Sequence, residues 1–152
     1  MPFSSRAVRD LLDACLNRPG LIEEHHVNRL PALLTEESDA VRDLVVRLFQ
    51  RAWIDPEGSP AAIMSIVEDE GFRQILGSLL RDGEDTRDLR PQLEGAFLYL
   101  ENGRLERELN SLADTVMLTG SDDALRLLSE TKLRAEEMKK RCQSSDAQEV
   151  DS

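Results

Sequence analysis

Few side chains in this sequence are equipped for chemistry. Two histidines, His25 and His26, are adjacent, and two cysteines, Cys15 and Cys142, lie far apart. A zinc ion needs imidazole, thiolate or carboxylate groups that converge, usually from CxxC or HxxxH spacing. Neighbouring residues on a helix point about 100° apart, so the two histidines are expected not to share a metal. The two cysteines make no disulfide framework and read as reduced, small, buried apolar residues. A cysteine nucleophile would want a partner histidine that the sequence cannot place.

Other catalytic patterns are missing. Neither GxGxxG nor GxxxxGK(S/T) occurs, and there is no GxSxG elbow. The acidic clusters Glu68–Asp69–Glu70 and Asp82–Glu84–Asp85 lack calcium-loop spacing and read as solvated faces or loops. The chain is therefore expected to carry no catalytic residue and no cofactor.

The elements behind these residues are helical. Leu, Ala, Glu, Arg and Asp dominate the 152 residues, with only one Trp, one Tyr and four Phe. Most of these residue types lose little rotamer freedom in a helical turn. The net charge is −11, which repels a phosphate backbone and speaks against direct nucleic-acid binding. No apolar run approaches the roughly 20 residues of a membrane span, and no leader pattern opens the chain, so a cytoplasmic setting is expected.

Periodicity places the helices. Val8, Leu11, Leu12, Cys15 and Leu16 form one stripe from about Ser5 to Asn17, stopped by Pro19–Gly20. Residues 21–34 suggest a short helix interrupted at Pro31. Ser38 or Asp39 can cap the next helix, whose apolar positions run from Val41 to Ala52. Ser59–Pro60 opens a helix expected to reach Val67, and another stripe follows Gly71. Residues 81–88 read as a charged loop.

From Pro91 to about Leu118 the helical pattern contains no further proline, but its apolar face turns. Leu93, Phe97 and Leu100 share one face; Leu105, Leu109, Leu112 and Val116 share another, about 130° away. One long helix with two packing partners fits, and so does a break at Asn102–Gly103. After Thr119–Gly120–Ser121, positions Ala124, Leu128, Thr131, Ala135 and Met138 form a coiled-coil-like seam, so a helical hairpin is expected. The organisation is thus all-α: a helical bundle over 5–103, a hairpin over 104–142 and a disordered tail over 143–152. Leu133 lies about 180° from the seam and Leu125 is also off it. They are either ordinary exposed leucines or a second apolar face for another protein.

The order of these segments resembles the C-terminal helicase-binding domain of bacterial DnaG-type primase. Cys15-Leu16-Asn17-Arg18-Pro19-Gly20-Leu21 is similar to the ending of that family's first helix. Val41-Arg42-Asp43-Leu44-Val45 and the stretch from Ser59 to Gly71 look like its third and fourth helices. The segment from Leu89 through Leu112 looks like its long connecting helix, and Gly120-Ser121-Asp122-Asp123 with Leu125 and Leu128 like its terminal hairpin. The resemblance covers about residues 6–141 and departs from the family at Arg18 and over 22–37. It implies docking on the N-terminal region of a hexameric DnaB-type replicative helicase, through Leu125, Arg126, Ser129, Leu133, Arg134 and Glu137. It also implies that primer synthesis, with its zinc and magnesium, belongs to primase regions outside this chain. A different helical adaptor or helicase-loading regulator is the alternative expectation.

Overall fold

In the computed structural model residues 5–80 and 87–150 are described, with side chains to residue 141. The described residues are all-α, with no strand: α1 (Arg6–Asn17), a 3-10 turn (Pro19–Leu21), α2 (Glu24–Leu33), α3 (Asp39–Ile54), α4 (Pro60–Met64), α5 (Glu70–Ser78), α6 (Arg90–Thr119) and α7 (Asp122–Val150). The charged loop expected at 81–88 lies mostly outside the described residues, as does the acidic cluster at 82–85. The chain divides into two compact units, Met1–Ala96 and Phe97–Ser152, and the division falls within α6.

In the first unit α3 is the central element and packs against α1, α2 and α4. Its stripe Val41, Leu44, Val45, Leu48, Phe49 and Ala52 is buried, as are Val8, Leu11, Leu12, Cys15 and Leu16 of α1. Each fully buried Leu or Phe contributes roughly 1.5–3 kcal/mol. Local chemistry sets the helix starts: Ser38 Oγ accepts the Val41 N–H, Ser59 Oγ accepts the Ala62 N–H, and Asp69 Oδ1 accepts the Phe72 N–H. These contacts satisfy amide donors that have no partner inside their own helix.

A polar clip closes this unit. Asn17 Nδ2 donates to Asp13 Oδ1 at 2.8 Å and to the Leu79 carbonyl at 2.9 Å. Gln92 Nε2 donates to Asp13 Oδ2 at 2.9 Å. Asp13, buried beside leucines, thus has both carboxylate oxygens bonded, which burial of a charge requires.

Two local expectations are corrected. Helix α2 runs through Pro31 without interruption. The ring is exposed and removes only the one bond to the Val27 carbonyl, two residues before the helix ends. Helix α4 stops at Met64, short of Val67. There Ser65 Oγ donates to the Ala62 carbonyl at 2.6 Å, and the β-branched Ile66–Val67 pair follows. At the C-terminus α7 extends to Val150. No glycine or proline follows Gly120, so nothing local ends the helix.

Helix α6 is continuous, which settles the alternatives at Asn102–Gly103 in favour of one long helix. Its two apolar faces both persist: Leu93 and Phe97 are buried on one, Leu105 on the other. The division into units falls at 96/97, ahead of that change of face.

Candidate partner-binding surface

The second unit is a helical hairpin made by residues 97–119 of α6 and by α7. Its turn is set by Gly120, the chain's one residue with positive φ (+61°) among those described. The Gly120 N–H returns to the Val116 carbonyl at 2.8 Å, closing α6 with a left-handed residue. Ser121 Oγ then accepts the Ala124 N–H at 3.4 Å, and Asp122 and Asp123 occupy the first turn of α7, where the helix dipole favours negative charge.

Within the hairpin the expected seam forms. Ala124, Thr131 and Ala135 are buried, Leu128 and Met138 half-buried, and on α6 Leu105 is buried with Leu109, Leu112 and Val116 half-buried. Lys139 Nζ lies 3.6 Å from Glu106 Oε1 between the two helices. Both groups are about half exposed, so this pair adds little beyond register.

Outside the seam, four of the six expected contact residues fall in one row. Leu125, Ser129, Leu133 and Glu137 are spaced by four, and all are exposed, Leu125 at 51% and Leu133 at 68%. Ser129 Oγ donates to the Leu125 carbonyl at 3.1 Å, and Glu137 lies 3.9 Å from Arg141. Arg126, also exposed, lies within about 20° of Leu133 on the wheel and joins the row. Arg134 does not. It is about 100° from Leu133, and its guanidinium donates to the seam hydroxyl of Thr131 at 3.5 Å.

Sequence reasoning missed Tyr99, Leu127 and two further exposed apolar residues on this unit. Met117 and Leu118, in the last turn of α6, are each 86% exposed. The signal was available: in Val116-Met117-Leu118 only Val116 falls on the seam. Together with Tyr99, Leu125, Leu127 and Leu133, they leave six large apolar side chains exposed among the described residues of this unit. A single exposed leucine is ordinary; several on one small hairpin make it the candidate surface for a partner.

The remaining chemical candidates were also placed. Cys15 is fully buried, its Sγ 3.4 Å from the Leu48 carbonyl, and burial raises its pKa far above the ordinary thiol range. It is a core residue, as expected, and the side chain of Cys142 lies outside the described region. The side chains of His25 and His26 converge, although neighbouring residues on a helix point about 100° apart. Their ring centroids are 4.0 Å apart, and ligand atoms of Glu23, His25 and His26 lie within 4.8 Å of one another. The wheel angle describes Cβ directions. At a helix start the rings reach beyond them, and Glu23, still extended before the first turn, folds back over both. No helix among the described residues is long and apolar enough to cross a membrane.

No protein-family model matches this chain, and neither does any curated protein or solved structure.

Proposed function

We propose that this chain is a docking module of the primase type, whose hairpin seats on the N-terminal region of a hexameric DnaB-type replicative helicase. The observation that carries the reading is the outward row Leu125–Ser129–Leu133 with Arg126 beside it, on a helix whose opposite face already holds the seam. An amphipathic helix with a second apolar row suits a helix-in-groove partner, with leucines as anchors and arginine at the rim. The named partner rests on the order of segments shared with the helicase-binding domain of DnaG-type primase. In that reading primer synthesis belongs to catalytic regions outside this chain, and the module brings them to the fork. The acidic net charge suits a protein partner and leaves nucleic acid to the helicase.

The test mixes the chain with purified replicative helicase and follows complex formation by analytical size exclusion. The wild type co-elutes, while Leu125→Asp/Leu133→Asp does not and keeps its helicity. Undiminished co-elution of the double variant would overturn the assigned surface. Failure of the wild type to bind would overturn the partner and favour a different helical adaptor.

A further inference from the structure

We propose that Glu23, His25 and His26 form a binding site for a divalent late first-row transition ion, with Zn2+ as its representative. Two imidazoles and a carboxylate are a ligand set that such ions accept, and three protein ligands leave a position for water. The three ligand atoms already lie within 4.8 Å of one another, and His25 Nε2 is 2.7 Å from Glu23 Oε2. Tetrahedral zinc with bonds of about 2.0–2.1 Å wants ligand atoms about 3.3 Å apart. Glu23 and His25 are exposed, so their side chains can rotate inward, with the Glu23 amide moving off the His26 ring as the ion takes its place. His26 is buried and supplies a fixed point against which the two mobile ligands close.

Three effects oppose binding. The Glu23 N–H donates to His26 Nδ1 at 3.0 Å, so the single lone pair of the neutral ring is already engaged as a helix cap. Losing such a cap costs roughly a factor of five in an equilibrium constant. The positive end of the α2 dipole opposes the ion in proportion to its two charges, and the Arg29 charge, which acts on His26, opposes it too. These effects weaken the site, while two imidazoles and a carboxylate remain a ligand set that late first-row ions favour. Binding therefore wins, weakened to the micromolar range.

The chain contains only these two histidines, which makes the test clean. Zn2+ alone is titrated into the full chain by isothermal calorimetry at neutral pH. One ion binds per chain, with a Kd on the order of 10 µM. His25→Ala and Glu23→Gln, both at exposed positions that keep the fold, each weaken binding at least ~10-fold. Cys142→Ser leaves it unchanged. Absence of saturable binding overturns the site, as does full affinity in His25→Ala or loss of binding in Cys142→Ser.

Discussion

Replacing glycine by alanine at Gly120 and at Gly95 is expected to have opposite effects. At Gly120 φ is +61°, a conformation that costs an L-residue about 1 kcal/mol or more, although a Cβ there meets nothing within 4 Å. Gly95 lies inside α6, and a Cβ there also meets nothing within 4 Å. Alanine at a helix-interior glycine gains about 1 kcal/mol. Sterics are equal at the two sites, so only backbone conformation separates them. Urea unfolding followed by far-UV circular dichroism measures the difference. With a slope of about 2 kcal/mol/M, Gly120→Ala lowers the midpoint by about 0.5 M and Gly95→Ala raises it by a similar amount. Gly120→Asn falls between wild type and Gly120→Ala, because asparagine tolerates the left-handed region. Two alanine variants shifting the same way would refute the assignment of Gly120 as the residue that ends α6.

Stability of the first unit is expected to depend on pH through His26. Burial lowers its pKa from 6.5 to about 4, so the unfolded chain takes up the proton first. The stabilisation is complete above about pH 6.5 and is lost as pH falls toward 4, with a span on the order of 2–3 kcal/mol. With metal chelated, His26→Gln keeps a side-chain acceptor for the Glu23 N–H and flattens that part of the profile; an unchanged slope would refute the assignment. The buried Cys15 thiol is expected to resist alkylation. In a Cys142→Ser chain, iodoacetamide labels nothing by mass spectrometry until urea unfolds the protein, and labelling of the native chain at the rate of a free thiol would contradict its burial.

Much of the fold was legible because its signals are local and repeated. The stripes of α1 and α3 and the caps at Ser38 and Ser59 depend on spacings within a few residues, and so does the hairpin seam. The failures have a different origin. Pro31 is tolerated because its ring faces solvent and the helix ends soon after, which no spacing reveals. The end of α4 depends on a hydroxyl, that of Ser65, turning back on its own helix. The proximity of the two histidine rings was not legible because wheel angles describe Cβ vectors and ignore the length of the side chains. The candidate surface was half legible. The seam identified Leu125 and Leu133 as outward, while Met117 and Leu118 were missed because they fall in the last turn, where the seam pattern stops.

The clip on Asp13 has a consequence for how the protein is made. Its carboxylate is buried in the finished unit, but the Gln92 amide that occupies one of its oxygens comes 79 residues later in the chain. At about 5–20 residues per second, the ribosome supplies that partner roughly 4–16 s after Asp13 itself. Through this interval α1 can form as a helix, while the side of it that carries Asp13 stays open to water. The first unit is thus completed late in synthesis, when the opening turn of α6 arrives.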